Sequence, residues 1–179
     1  SGCSIASGRE EPERNRAGHA GDHVDRHGAD RVVNAEVLEY GHADAHEMAA
    51  AAVCRLHEGA AEVLAALRQR GVLTALLTRN SRGCATRILR RHGLSLDPVV
   101  TREDAPHKPH PDAILNIVRR TGMDALQTLM VGDYLYDLQT AQAAGVDAAL
   151  LLSRDGGRRP AYADMARYCV RSLRELLPL

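Results

Sequence analysis

From Gly59 to Leu152 the sequence alternates helix-patterned runs with strand-patterned ones, and four helix-patterned runs stop on a glycine. Ala60 to Arg70 is amphipathic and closes at Gly71. Gly83 to His92 closes at Gly93. Pro111 to Thr121 opens on proline and closes at Gly122, and Leu135 to Ala144 closes at Gly145. Between them lie short apolar runs of strand type at Val72 to Leu77, Pro98 to Thr101, Thr128 to Val131 and Ala148 to Leu152. Tyr168 to Val170 reads as an edge strand before a terminal helix at Leu173 to Leu177. Such alternation requires right-handed βαβ crossovers. The expected fold is α/β, a parallel sheet with helices on both faces.

The first third of the chain is different. Between Ser1 and Arg31 the only bulky aliphatics are Ile5 and Val24, and Leu is absent. Residues 1–33 cannot bury enough apolar surface to offset their ordering entropy, so a loop or disordered segment is expected. Residues 34–58 carry Val37, Leu38, Ala45, Met48, Ala49, Ala52 and Val53 at spacings near 3.6, which predicts helix, split at Gly41. Residues 59–179 form the α/β body. With no Phe and no Trp, the core must be built from Leu, Val, Ile and Ala.

Charge excludes several functions. The chain has 23 basic and 23 acidic side chains and no basic stripe with interleaved aromatics, so nucleic acid is not an expected partner. No apolar run reaches membrane-spanning length and no signal-peptide core is visible, which predicts no membrane contact and a cytoplasmic protein. Cys3, Cys54, Cys84 and Cys169 lack any C-x-x-C spacing and read as free thiols. His19, His23 and His27, and His42 and His46, stand at helical metal-ligand spacing. Flanking glycines and carboxylates favour solvated histidines instead.

The polar residues that break this pattern fall at predicted strand ends. Lys108 is the only lysine; the other 22 basic residues are arginines. It sits in His107-Lys108-Pro109-His110-Pro111, just ahead of a helix. Thr78 directly follows one apolar strand, and Gly132-Asp133 directly follows another. Ligands of open parallel sheets sit outside the carboxyl ends of the strands. There Thr78 offers a hydroxyl, with the backbone N–H groups of Arg79 and Asn80 close by. Lys108 offers a compact cation suited to a phosphoryl group. Asp133 and Asp137 offer hard oxygens of the kind Mg²⁺ takes.

Thr78-Arg79-Asn80-Ser81, Lys108-Pro109-x-Pro111 and Gly132-Asp133-x-x-x-Asp137 resemble motifs II, III and IV of the haloacid-dehalogenase-like hydrolases. The phosphoglycolate-phosphatase-like branch is closest, over about Gly59 to Leu152. The resemblance implies a Rossmann-like sheet with a small helical cap, of which residues 34–58 would be a remnant. It implies Mg²⁺-dependent hydrolysis of a small phosphorylated metabolite. Thr78, Lys108 and Asp137 would be catalytic, and Asp133 would ligate the metal. Thr78, Arg79, Asn80 and Lys108 would bind substrate, although the residues alone leave Arg79 between substrate and solvent.

One departure changes the expectation. The first motif of that family is a strand ending in Asp-x-Asp, whose first Asp attacks phosphorus and whose second is general acid and base. This sequence contains no Asp-x-Asp. A truncated or degenerate member with impaired or absent activity is therefore expected, with the central first strand of its sheet missing. The strands at Leu73 and Leu129 would then either keep open inner edges, prone to self-association, or close up and pair with each other. The alternative is a non-catalytic phosphate- and Mg²⁺-binding or interaction module.

Overall fold

The computed structural model describes residues 32–35, 44–153 and 155–179. Among them six strands form one parallel sheet: β1 (Val32–Ala35), β2 (Leu73–Leu77), β3 (Val99–Val100), β4 (Thr128–Gly132), β5 (Asp147–Leu151) and β6 (Tyr168–Val170). Their order is β3-β2-β1-β4-β5-β6. Five helices accompany them: α1 (Asp44–Val53), α2 (Ala60–Gln69), α3 (Arg82–His92), α4 (Asp112–Thr121) and α5 (Leu135–Ala144). The terminal helix predicted from Leu173 is a 3-10 turn, Leu173–Leu176. Too few residues remain before Pro178 to offset the nucleation of an α-helix.

The period-2 alternation of the strands sorts the core into two layers. Leu76, Leu129, Val131, Ala149 and Leu151 face α2 and α3, where they meet Val63, Leu64, Leu67, Ala85 and Ile88. Ala75, Leu77, Met130, Ala148 and Leu150 face α4 and α5, against Ile114, Ile117, Leu138 and Ala141. Each of α2 to α5 stops where its sequence predicts, to within a residue. Gly93, for example, ends α3 in the left-handed region at φ 63°, a conformation open to residues without a Cβ.

The expected gap at the centre of the sheet is filled. β1 pairs in parallel with β2 on one side, through Val32 with Leu73 and Asn34 with Ala75. It pairs with β4 on the other, through Val32 with Thr128 and Ala35 with Val131. Asn34 and Ala35, expected to begin a helix, are strand, and Val32 and Val33 are ordered at the end of the segment expected to be disordered. The cause is tertiary. Two apolar parallel strands with unpaired inner edges recruit whatever β-capable backbone is near, and local propensity gives way. The open inner edges are thereby removed, and the outer strands β3 and β6 are only two and three residues long. The disorder expected for residues 1–31, the helical break at Gly41 and His19, His23, His27 and His42 lie outside the described residues. Within residues 34–58 the helix forms from Asp44.

Candidate active site

Thr78 and Asp133 directly follow β2 and β4, Lys108 lies in the loop before α4, and Asp137 lies in the first turn of α5. Thr78 follows β2 and is buried, and its amide donates to the Val100 carbonyl at 2.9 Å, fixing the strand exit. Its hydroxyl oxygen accepts the Asn80 N–H at 3.1 Å, which leaves the hydroxyl proton to donate outward. Ser81 then caps α3 by accepting the Cys84 N–H at 3.3 Å. Asp133 follows β4 and is also buried. With β1 between them, β2 and β4 lie two strand spacings apart, roughly 10 Å. That is room for a phosphoryl group between Thr78 and Asp133.

Lys108, from the loop before α4, meets Asp137 in the first turn of α5. Their Nζ–Oδ1 distance is 2.7 Å, and both side chains are 1% exposed. The other oxygen of Asp137 accepts the Tyr134 N–H at 3.1 Å, so one carboxylate both caps α5 and anchors the lysine. Gly132 permits this. A Cβ there would stand 2.3 Å from the Cβ and Cγ of Asp137, far inside van der Waals contact. Among the described residues no buried side-chain nitrogen or oxygen lacks a partner.

A second polar cluster braces the Thr78–Ser81 loop from the end of β3. The Thr101 hydroxyl proton is shared between Glu103 at 2.6 Å and Asp104 at 2.7 Å. The Thr101 amide donates to Asp104 at 2.8 Å. Glu103 accepts the Arg82 N–H at 3.0 Å, and the Arg82 guanidinium pairs with Asp104. Burial pushes the Asp104 carboxyl up. The Thr101 amide and hydroxyl and the Arg82 cation outweigh it and hold the group below its ordinary 3.8. The Thr101 hydroxyl likewise holds Glu103 below its ordinary 4.5. A carboxyl lowered on folding stabilises the fold above its unfolded pKa, and the contribution is lost as pH falls through the folded value. Asp104→Asn should therefore lower Tm above about pH 4, and the two proteins' melting temperatures should converge below it. Parallel Tm–pH profiles would show that the carboxylate carries no such linkage.

The donor set has a definite limit toward a metal. Among the described residues no group of three His, Cys, Asp or Glu side chains gathers. Asp133 accepts the Ser153 hydroxyl at 3.3 Å, while Asp137 is engaged by Lys108 and the α5 terminus. One carboxylate fits Mg²⁺, which keeps several waters and takes phosphate oxygens; it does not fit a dedicated protein cage. Sequence reasoning misses Ser153, although its place just after β5 puts it on the same edge. It also misses a row of tyrosines: Tyr134 meets Tyr136 edge to face at 5.5 Å and Tyr162 at 6.3 Å. The Arg79 guanidinium lies 6.0 Å from the centre of the Tyr136 ring.

Comparison with known proteins agrees with this architecture. Residues 20–151 match the model of the family described as haloacid dehalogenase-like hydrolase. The chain belongs to that family. A phosphoglycolate phosphatase of Rhodospirillum rubrum is 36% identical over 100 residues, 54% of this chain and 41% of its own. One of Pseudomonas putida is 30% identical over 140 residues, 76% of this chain and 50% of its own. The crystal structure of a HAD phosphatase from Thermococcus onnurineus superposes with a TM-score of 0.63 at 29% identity, covering 70% of this chain and 58% of that one. The chain spans about half the length of the curated relatives it matches. No helix among the described residues is long and apolar enough to cross a membrane.

Proposed function

We propose that the site binds the phosphoryl group of a small phosphorylated metabolite together with Mg²⁺, and that hydrolysis by this chain is impaired or absent. The observation that carries the reading is the buried Lys108–Asp137 pair, together with buried Thr78 and Asp133 directly after β2 and β4. A lysine buried against a carboxylate near strand ends is poor material for a core and good material for an anion site. Thr78 donates its hydroxyl proton to a phosphoryl oxygen. The amides of Arg79 and Asn80 lie beside it, and Lys108 offsets the charge of the phosphate. Asp137 keeps Lys108 in place and carries no substrate contact of its own. Asp133 is the carboxylate placed to hold Mg²⁺, which when bound would neutralise phosphate charge.

Catalysis lacks a part. In the family the resemblance points to, the first strand delivers a nucleophilic Asp. Here the strand in that place is Val32-Val33-Asn34-Ala35, and the sequence continues Glu36-Val37-Leu38, without Asp-x-Asp. An anion site kept without its nucleophile favours the second reading, a non-catalytic phosphate-binding module. We expect no measurable turnover of aryl phosphates with Mg²⁺. Turnover abolished in Asp133→Asn would show instead that another residue serves as nucleophile. Calorimetric titration with Mg²⁺ and inorganic phosphate separates binding from relic. Phosphate should bind in a Mg²⁺-dependent manner, about tenfold or more weakly in Asp133→Asn, and a chain that binds neither has kept only the motifs.

A further inference from the structure

Three of the chain's five tyrosines meet one another just beyond Asp133, although phosphate chemistry needs no aromatic ring. Tyr134 and Tyr136 flank the first residue of α5. Tyr162 comes from the 3-10 turn after β5, Ala161–Met165. Arg79, from the loop after β2, reaches across to the face of Tyr136. The arc Arg79–Tyr136–Tyr134–Tyr162 thus follows the same edge of the sheet as Thr78, Asp133 and Ser153. Tyr162 packs against the core layer of α4 and α5, whereas the other two rings stand outside it. Tyr134 is 39% exposed and Tyr136 is 38% exposed, in a chain with no Phe or Trp to spare elsewhere.

We propose that this arc is the subsite for the part of the ligand beyond its phosphoryl group, and that it takes a planar aromatic or heteroaromatic group. The proposal rests on the phosphate-binding reading above. Tyrosine presents a large, rigid, partly apolar surface whose rings pack well edge to face and offset against a further ring. The Arg79 guanidinium is planar and delocalised, so it stacks on the same kind of group while its charge favours an anionic ligand. A saturated ligand of equal size gains burial from such a surface but not the ring geometry. The position of Tyr136 beside Asp137 ties the two subsites together, because the residue that sets the first turn of α5 also anchors Lys108.

The test uses two phosphonates, which have no phosphate ester bond to hydrolyse, and inorganic phosphate, so it does not depend on turnover. Benzylphosphonate, cyclohexylmethylphosphonate and inorganic phosphate are titrated into the Mg²⁺-saturated chain by calorimetry. Benzylphosphonate should bind about fivefold tighter than its saturated counterpart. Tyr136→Leu should bring that ratio near one, Tyr136→Phe should keep it, and inorganic phosphate should still bind both variants. Equal affinity for the two phosphonates in the unsubstituted chain, or a preference that survives in Tyr136→Leu, overturns the aromatic subsite alone. If none of the three probes binds, the phosphate site itself is wrong and the subsite falls with it.

Discussion

Asp137→Ala should destabilise the chain by about 3–5 kcal/mol, the scale on which breaking one partner out of a buried ion pair acts. Lys108 and Asp137 are both almost fully shielded from water, and their contact is 2.7 Å. Removing the carboxylate takes away the charge 2.7 Å from a buried ammonium, in a low-dielectric surrounding. It also removes the acceptor for the Tyr134 N–H, so the first turn of α5 loses its cap. Lys108→Met should be nearly as damaging, because it strands the carboxylate instead. The double variant Lys108→Met, Asp137→Leu should be less destabilised than the two single effects added together, since no buried charge is then left unpaired. Urea unfolding of the four proteins measures this cycle. If each single variant shifts stability by less than about 1 kcal/mol, a range typical of exposed pairs, the pair is open to solvent in solution and the argument from burial fails. Phosphate binding should be weakened in all three variants, because Asp137 holds the Lys108 ammonium at 2.7 Å and Lys108→Met removes the cation itself.

Much of this site is legible in the amino-acid sequence. The strands that carry Thr78 and Asp133 are short apolar runs, and polar residues directly after such runs fall on the carboxyl edge by topology alone. Lys108 and Asp137 are legible as a pair only through the spacing of motifs, and their 2.7 Å contact needs the folded chain. Ser153 and Tyr162 follow β5 and approach the site only once the sheet is laid out. Neither stands in a local pattern that marks it. The largest difference lies at β1. Val32 and Val33 are two β-branched residues in a stretch of Asp, Arg, His and Gly, with no alternation to separate strand from loop. Their conformation is dictated by β2 and β4, whose inner edges would otherwise be bare. A sequence window cannot see that demand, because the two strands that make it begin about 40 and 95 residues downstream in a parallel sheet of high contact order.

Val33→Pro should lower stability by about 3 kcal/mol or more, the scale of a proline forced into a hydrogen-bonded interior. Val33 lies opposite Thr74 in β2 and Leu129 in β4, so its backbone has a partner strand on both sides. Proline has no N–H to give to a ladder, and it is confined to sheet edges and bulges for that reason. No edge is available here, because β1 is the third of six strands counted from β3. Val33→Thr keeps both the N–H and a β-branched side chain, and should change Tm little. The pair of variants thus separates the backbone from the side chain. Function should follow the backbone. With β1 unseated, β2 and β4 can close to one strand spacing, roughly 5 Å, and the space between Thr78 and Asp133 collapses. Val33→Pro should then lose Mg²⁺-dependent phosphate binding even at temperatures where α2 to α5 remain helical by circular dichroism. A Val33→Pro protein that melts like its parent and still binds phosphate would mean that β2 and β4 are held apart by something other than Val32–Ala35.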